Sequence, residues 1–397
     1  MQLQQLLMNS LISLPKVAAK TMPPPDNELL VNTLRKTTDS GENLSLPREL
    51  YVSETFHEIE IERIFLQEWH CVGRVLELTD LGDYLSFEIV NHSIFVVRSP
   101  SGLKAFLNIC AHRSARLLEG CGRINRIICP YHAWTYDLDG QLTAAPFMGD
   151  NKLSSLGKLK QLHLEVWEGW IYVTLNANPK PLAPRITDLQ DTLANYRMAV
   201  YEPLFRVEET WNTNWKSLVE NFTEPYHLFQ VHKKTVEPSL PTRMTEIQHG
   251  GKAYSLLNQH RIPGSSYEYD ELLPTVNNQL TAQQQLMHPL TCIFPCHLIA
   301  LSPDRLFWMS LQPIGPHKVR ILWGADAFPG AIPKGLSGEN RTQQLRSALN
   351  SINQEDKKVL EPLHQNLCTG RASVGILSPY ERTLIDFNKY LARLICE

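Results

Sequence analysis

Residues 110–140 read CAHRSARLLEGCGRINRIICPYHAWTYDLDG and decide the fold of the first half of the chain. Two close pairs of metal-binding side chains lie in this stretch: Cys110 with His112, and Cys129 with His132. Each pair combines a thiol with an imidazole at the tip of a predicted hairpin loop. Structural zinc sites more often have a cysteine pair followed by a histidine pair on a helix. The mixed pairs therefore favour a metal centre of another kind.

Mixed pairs suit a [2Fe–2S] cluster with two thiolates on one iron and two imidazoles on the other, which is Rieske ligation. We predict that Cys110, His112, Cys129 and His132 hold such a cluster. Neutral imidazoles in place of thiolates raise the reduction potential, to roughly −150 to +300 mV for this class. A structural zinc ribbon is the alternative. Cys121 lies off the ligand spacing, so we expect it to be a spare thiol.

The composition limits the class of protein. The chain has 397 residues, 43% of them apolar and 20% charged, and a net charge of −3, which suits two globular domains. Because it has no long basic run and no apolar run of about eighteen residues, we expect neither a nucleic-acid partner nor a membrane span. Eight scattered cysteines favour a reducing compartment and hence a cytoplasmic location. The first twenty residues do not resemble a signal peptide, and their leucines predict a short amphipathic helix.

The order of the patterns predicts an arm followed by two domains. Residues 1–47 form an N-terminal arm, which three prolines interrupt. Residues 48–177 begin with a helix at 51–65 and continue as short alternating strands between turn signals, which predicts a small antiparallel β domain that carries the cluster loops. We expect this domain to close with one return strand at 163–175.

Residues 178–397 mix strands with helices, which predicts an α+β domain after a proline-rich crossing. The strands are expected at 205–211, 292–301, 306–314 and 319–327. The helices are expected at 215–229 and 340–367.

A second metal site is indicated by His227 and His232. On a regular helix, five residues turn the chain by about 500°, so these two side chains would diverge by about 140°. They can share a metal only if the helix ends between them or contains a wider π turn, and Pro225 interrupts it just before. Two histidines that bind non-haem iron need a carboxylate to complete a facial triad.

Asp356 is the candidate carboxylate. It falls on the same face of the predicted 340–367 helix as six apolar residues: Leu345, Leu349, Ile352, Val359, Leu363 and Leu367. A buried carboxylate needs a partner, which is either a metal or an arginine or lysine elsewhere. Glu355 points off this face and is the weaker candidate.

These motifs resemble those of the Rieske non-haem iron oxygenases, in their catalytic α subunits. The similarity includes Asn108 and Arg113 around the first pair, and Trp134 and Tyr136 after the second. It also includes the Glu-Asn and Tyr-His-x4-His text within residues 220–232.

The resemblance implies the fold and the ligands of the second domain. It implies a helix-grip fold, in which a curved antiparallel sheet holds a long helix. It also implies that His227, His232 and Asp356 bind a mononuclear Fe(II). Ser114 departs from the glycine usual in the family, but it is small, so we expect little effect.

Glu224 stands where the family normally has Asp, three residues before His227. The resemblance implies that this acid hydrogen-bonds a metal-ligating histidine and, across a subunit boundary, His112 or His132 of a neighbour. It therefore implies a homotrimer with head-to-tail packing. One alternative stays open: Glu224 is a solvated acid at a helix start, and another acid such as Glu220 makes the bridge.

The resemblance implies the terminal component of a mono- or dioxygenase, which uses O2 to hydroxylate or demethylate a small organic substrate. The chain has no dinucleotide fingerprint, flavin motif or plant-type ferredoxin pattern. Electrons from NAD(P)H are therefore expected through a separate reductase, with or without a ferredoxin. The alternative class is a Rieske electron carrier with a ligand-binding domain and no oxygenase activity.

The whole-chain layout resembles the subgroup around choline and glycine betaine monooxygenases, whose relatives also oxidise aromatic acids. The expected substrate is therefore an aromatic or other ring compound, or a quaternary ammonium. An aromatic box suits a quaternary ammonium, although aromatic residues in strands more often belong to the core. Its candidate members are Trp211, Phe294, Phe307 and Trp308.

Overall fold

The computed structural model describes residues 27–148, 157–265, 272–273, 276–332 and 335–397. The amphipathic helix expected in the first twenty residues lies outside the described residues, as does the proline interruption. In the described part of the chain, no helix is both long and apolar enough to cross a membrane.

The described chain begins with three helices, α1 (Asn27–Asp39), α2 (Glu49–Val52) and α3 (Glu54–Glu60), and a π-helical turn at Ile61–Phe65. Ser53 separates the last two helices and caps α3, because its side chain accepts a hydrogen bond from the Phe56 N–H. This segment shares one buried apolar cluster with the helices and sheet of the second domain. The domain bounds stay predictions, but in space residues 27–65 belong with the second sheet.

Ten strands follow, and they build the predicted antiparallel β domain. They are β1 (His70–Arg74), β2 (Asp83–Ile89), β3 (His92–Ser99), β4 (Gly102–Leu107), β5 (Cys121–Arg123), β6 (Ile127–Ile128), β7 (Thr135–Tyr136), β8 (Leu142–Ala144), β9 (Gln161–Trp167) and β10 (Trp170–Thr174). A seven-stranded sheet has the order β1-β10-β9-β4-β3-β2-β5, and β6-β7-β8 form a small second sheet.

The single return strand expected at 163–175 is wrong, because this segment is the hairpin of β9 and β10. Glu168 and Gly169 between them have φ angles of 46° and 77°. Positive φ at both central residues is typical of the tight turn that joins antiparallel strands. Both strands are rich in apolar residues and only Glu168 and Gly169 separate them, which is why the segment resembled one strand.

The second domain has seven strands in one antiparallel sheet of order β11-β17-β16-β15-β14-β13-β12. They are β11 (Glu202–Trp211), β12 (Thr245–Ile247), β13 (Tyr254–His260), β14 (Met287–Ile293), β15 (His297–Leu301), β16 (Arg305–Pro313) and β17 (Val319–Ala327). The helices are α4 (Thr187–Leu193), α5 (Trp215–Thr223), α6 (Leu228–Val231), α7 (Leu336–Cys368) and α8 (Arg382–Cys396). The strand expected at 292–301 contains the turn between β14 and β15, and β12, β13 and α8 were not expected.

Both faces of this sheet are covered, so side chains alternate between two apolar clusters along each strand. On β16, Met309 packs in the cluster that contains α5, α7 and α8. Its neighbour Trp308 packs in the cluster that contains β10 and α4. Helices α5, α7 and α8 therefore lie on one face, and the β domain lies on the other together with α4, which confirms the α+β class.

A buried ion pair fastens the two domains together. Arg74 of β1 and Asp326 of β17 are each 1% exposed, and the Arg74 Nε lies 2.7 Å from the Asp326 Oδ2. The Arg74 guanidinium also lies 4.1 Å from the centre of the Trp170 ring and donates to the Met198 carbonyl. The Trp308 indole N–H donates to the other Asp326 oxygen, at 3.2 Å.

Candidate functional site

The two loops of the predicted cluster site have the same backbone geometry. In each, the residue four positions after the cysteine is left-handed: Ser114 has φ 57° after Cys110, and Ala133 has φ 55° after Cys129. The N–H of that residue donates to the cysteine carbonyl, at 3.0 Å in both loops. This repeat turns both thiols inward, where they are buried.

The ring centres of His112 and His132 lie 4.8 Å apart. The Nδ1 atoms of both rings are buried and have no hydrogen-bond partner among the described residues. A buried polar atom without a partner is costly, so both nitrogens call for a ligand that the chain itself does not supply. Two buried thiols and two such nitrogens fit a Rieske cluster. His112 also stacks on Trp134, at 4.6 Å.

Ser114 was expected to have little effect because its side chain is small. The constraint at this position is the backbone conformation, and not the size of the side chain. Its left-handed φ favours glycine, because the Cβ of other residues approaches a backbone carbonyl in this conformation. That contact costs roughly 1–2 kcal/mol. The glycine usual in the family therefore relieves backbone strain at this position.

Tyr136 is the residue placed to tune the cluster. Its Oη lies 3.3 Å from the Cys110 Sγ and accepts a hydrogen bond from the Ala111 N–H. Burial raises the pKa of the Tyr136 phenol, so the group stays protonated and donates to the sulfur.

We expect Tyr136→Phe to lower the reduction potential of the cluster by about 40 mV. A donor to sulfur stabilises the more negative reduced state, and a hydrogen bond of about 1 kcal/mol corresponds to that shift for one electron. Redox titration followed by EPR measures it. Tyr84→Phe removes a hydroxyl bonded to the Glu119 carbonyl instead and is the control. An equal shift in both variants would contradict the role of Tyr136.

The second site is built where a helix breaks. α5 ends at Thr223, and Glu224 is extended, with φ −123° and ψ 143°, because a residue before proline avoids helical angles. α6 is a single turn, which His227 precedes and His232 follows. The helix therefore ends before His232, which is the first of the two geometries that permit a shared metal.

Asp356 of α7 meets both histidines. Its Oδ1 lies 3.0 Å from the His232 Nε2 and 3.6 Å from the His227 Nε2. Metal–ligand bonds of about 2.1 Å at right angles place neighbouring ligand atoms about 3.0 Å apart. All three atoms lie within 4.8 Å of one another, and the two distances from Asp356 are close to the spacing on one face of an octahedron, as a facial triad requires. The donor set of two imidazoles and one carboxylate fits Fe(II).

The other nitrogen of each histidine is held by a glutamate. The His227 Nδ1 lies 2.5 Å from the Glu224 Oε1, and the His232 Nδ1 lies 2.7 Å from the Glu355 Oε2. Thr235 donates to the same Glu355 oxygen, at 2.7 Å. Metal-bound histidines generally give their free N–H to a carboxylate, which fixes the ring. Both Nε2 atoms are thereby left to face Asp356.

Glu355 is the site residue that the sequence reasoning undervalued. It was expected to point off the buried face of α7, yet its side chain reaches His232 from the adjacent position. The adjacent acids Glu355 and Asp356 were the available signal, since one can bind a metal while the other orients a ligand.

The buried face of α7 differs from the predicted stripe. Val359 and Leu363 are 43% and 41% exposed, so their assignment to this face is wrong. The buried side chains on this face include Leu345, Leu349 and Leu360. Two polar residues, Asn353 and His364, are also buried, and a search for apolar spacing passes over them. Asp356 lies along this face and accepts a hydrogen bond from the Asn221 side chain, at 3.3 Å.

Glu220, the alternative bridging acid, is engaged elsewhere. Its Oε1 accepts a hydrogen bond from the Tyr51 hydroxyl, at 2.7 Å. Burial raises the pKa of Glu220 to about 7, although the Tyr51 bond acts in the opposite direction. Of the two glutamates, Glu224 is the one that contacts His227.

Comparison with known proteins identifies the family of this chain. Residues 191–397 match the catalytic domain of the ring hydroxylating alpha subunit, which is more than half of the chain. The chain belongs to the ring-hydroxylating α-subunit family. Residues 68–163 match the Rieske [2Fe–2S] domain.

Several curated proteins are similar to this α subunit over about half of its length. The glycine betaine monooxygenase oxygenase subunit of Pseudomonas aeruginosa is 31% identical over 50% of this chain and 47% of its own. The carnitine monooxygenase oxygenase subunit of Escherichia coli is 31% identical over 52% and 57%. Putrescine 2-hydroxylase of Ralstonia nicotianae is 31% identical over 47% and 49%. The chain spans about half the length of the curated relatives it matches.

Solved structures show the same fold. A quaternary ammonium Rieske monooxygenase superposes with a TM-score of 0.77 over 92% of this chain and 98% of its own, at 20% identity. Naphthalene 1,2-dioxygenase from Rhodococcus sp. superposes with a TM-score of 0.75 over 93% and 98%, also at 20% identity. The predicted helix-grip fold beside a Rieske domain is thereby confirmed.

In this α subunit, a cavity of about 160 Å³ opens beside the triad. Most of its wall is apolar and includes Phe222, Leu257, Leu290, Phe307 and Met309, and a polar part includes Gln259, His288, Ser302 and Arg305. Of the four candidates for an aromatic box, only Phe307 is in its lining, because the other three are buried in the apolar clusters. The box predicted from those four residues is therefore wrong.

Proposed function

We propose that the protein is the terminal oxygenase component of a Rieske non-haem iron system. The convergence of His227, His232 and Asp356 beside a cavity carries this proposal, because an electron carrier needs no second metal. When bound, the iron supplies reductive activation of O2 and the cluster supplies the electrons one at a time. The four predicted cluster ligands are Cys110, His112, Cys129 and His132.

The chain's own residues orient the ligands and shape the site. Glu224 and Glu355 fix the rings of the two histidines, and Asn221 holds Asp356. The apolar wall of the cavity keeps bulk water away from the site. An engineered apolar cavity of about 150 Å³ binds benzene, so a substrate of single-ring size suits the volume found here.

We propose a small organic substrate that is either an aromatic or other ring compound or a quaternary ammonium. The names of the similar proteins include both kinds of substrate: quaternary ammonium compounds in one solved structure and naphthalene, a ring compound, in another. Two phenylalanines, Phe222 and Phe307, supply the aromatic lining in the described part of the chain, and Arg305, which pairs with Asp304, contributes to the polar part. A quaternary ammonium is best recognised by several aromatic faces, so this lining favours the ring compound.

A panel of ring acids and methylammonium compounds tests the function. The holoprotein receives electrons from NAD(P)H through a surrogate reductase, and O2 uptake and product are both measured. We expect at least one compound to raise O2 uptake with matching product. Cluster reduction without substrate-dependent O2 uptake anywhere in a broad panel would favour the electron carrier.

We further propose a homotrimer fed by a separate reductase, with or without a ferredoxin, in the cytoplasm. Exposed apolar residues support contacts between the subunits of such a trimer. Ile128 and Tyr131 flank one cluster loop, and Tyr226 and Phe229 flank the triad. All eight cysteines are free, which supports a reducing compartment. Closed head-to-tail contacts make a ring. Light scattering at assay concentration should give three chains, and a fully active monomer would refute the arrangement.

Within that trimer, we propose that Glu224 also bridges to a cluster histidine of the neighbouring subunit. Glu224→Gln keeps the shape without the charge, so we expect both centres to stay occupied and the cluster to be reduced normally. Single-turnover electron transfer from cluster to iron should fall about tenfold or more. Glu246→Gln, which alters a surface pair with His260, is the control. An unchanged transfer rate with full iron content would mean that Glu224 is not the bridge.

A further inference from the structure

A second group of metal-binding side chains lies farther along α7. Eight residues beyond Asp356 the helix carries His364, and one turn later Cys368, so both lie on one face. The turn between β16 and β17 brings His317 against them. The His317 Nδ1 lies 2.9 Å from the His364 Nε2, and the Cys368 Sγ lies 3.8 Å from each of these nitrogens.

The two elements that form this group are anchored independently of it. The buried Asn214 side chain donates to the Pro316 carbonyl at 2.9 Å, which fixes the turn beside His317. The Arg48 Nε donates to the Leu367 carbonyl at 2.9 Å, which fixes the end of α7 beside Cys368. Because the backbone is held in advance, a ligand would have little ordering cost to overcome.

We propose that His317, His364 and Cys368 bind a divalent cation of the Zn²⁺ class, with the fourth position open to solvent. Bonds of about 2.05 Å to nitrogen and 2.3 Å to sulfur in a tetrahedron give N···N of about 3.3 Å and N···S of about 3.5 Å. The observed distances differ from these by a few tenths of an ångström. His317 and Cys368 are exposed, so small rotations of their side chains close the difference.

The chemistry of the group favours this class of ion. Burial, followed by the neighbouring His317, lowers the pKa of His364 to about 4, so its imidazole is neutral and able to ligate. The thiol of Cys368 gives its proton to solvent when the metal binds. A thiolate ligand selects a softer ion than the carboxylate of the triad does. The bound ion would fasten the end of α7 to the turn between β16 and β17.

Protection of Cys368 from alkylation tests the site. The holoprotein, with both iron centres loaded, is treated with a maleimide with and without added Zn²⁺, and modification is measured for each cysteine by peptide mass spectrometry. We expect Zn²⁺ to slow modification of Cys368 at least tenfold. Cys121 is also exposed and belongs to neither of the candidate metal-binding groups found among the described residues, so its rate should stay unchanged.

Two variants separate ligation from other effects. His317→Ala should raise the Zn²⁺ concentration needed for protection at least tenfold, since even loss of an outer partner of a metal ligand costs about 10–100-fold. His163→Ala, at a histidine on β9 bonded to the Ala177 carbonyl, should change nothing. Should His317→Ala fail to fold, Cys368→Ser replaces it, and the readout is the Zn²⁺-dependent rise in Tm, expected in the wild type and lost in the variant.

The competing explanation is a plain hydrogen bond between His317 and His364, with Cys368 nearby by chance. It predicts equal modification of Cys368 with and without Zn²⁺, and that result would overturn the proposal. Protection that persists unchanged in His317→Ala, or a Zn²⁺-dependent Tm rise retained in Cys368→Ser, would overturn it as well.

Discussion

Asp356→Ala is expected to abolish product formation and to lower the iron content by about one atom per chain. The substitution removes one of three side chains whose ligand atoms lie within 4.8 Å of one another. The two histidines that remain do not complete a facial triad. The cluster loops lie in the other domain, so the visible spectrum of the cluster should be retained. Iron analysis, the spectrum and product assays together measure the effect.

Glu361→Ala is the matched control for this variant. Glu361 lies on the same helix, but its oxygens bind Asn212 and pair with Lys357. We expect it to keep its iron and its turnover. Turnover of Asp356→Ala at the wild-type rate would mean that Glu355 or another acid is the ligand.

Arg74→Met is expected to lower the free energy of unfolding by about 3–5 kcal/mol, the usual cost of leaving one partner of a buried pair without the other. Asp326 would remain enclosed at the domain interface, where the Trp308 N–H still donates to it. Chemical denaturation of the two proteins measures the difference.

Arg116→Met provides the comparison for a surface pair. Arg116 is 49% exposed and pairs with Glu88 at 2.9 Å, so we expect a change of no more than about 1 kcal/mol. Replacing both members of the buried pair, in Arg74→Met with Asp326→Leu, should recover part of the stability, because no charge is then left unpaired. A loss of under about 1 kcal/mol in Arg74→Met would show that the pair does not fasten the domains.

The two groups of candidate metal ligands could be predicted because their chemistry is local in the sequence. Cys110 with His112, and Cys129 with His132, lie so close together that the spacing itself limits the ligand geometry. The same applies to His227 and His232, where Pro225 already indicated that the helix breaks. For Asp356, helical spacing indicated the correct face even though part of the apolar stripe was assigned wrongly.

The rest depends on contacts between residues far apart in the chain. Nothing near Arg74 indicates that Asp326 will be its partner, and nothing near Glu355 indicates that His232 will lie within reach. The hairpin of β9 and β10 was missed because only Glu168 and Gly169 separate two strands that are both rich in apolar residues. Residues 48–65 were assigned to the first domain, yet they share a buried apolar cluster with the second sheet. Sequence order does not show which apolar face such a segment covers.

Iron and acid-labile sulfide per chain, measured on the purified protein, test the central claim most directly. A Rieske cluster with a mononuclear site predicts about three iron atoms and two sulfides, with a Rieske-type EPR signal on reduction. Two iron atoms with two sulfides, even after loading with Fe(II), would identify an electron carrier and contradict the oxygenase. Zinc without iron or sulfide would contradict both centres and identify a zinc ribbon.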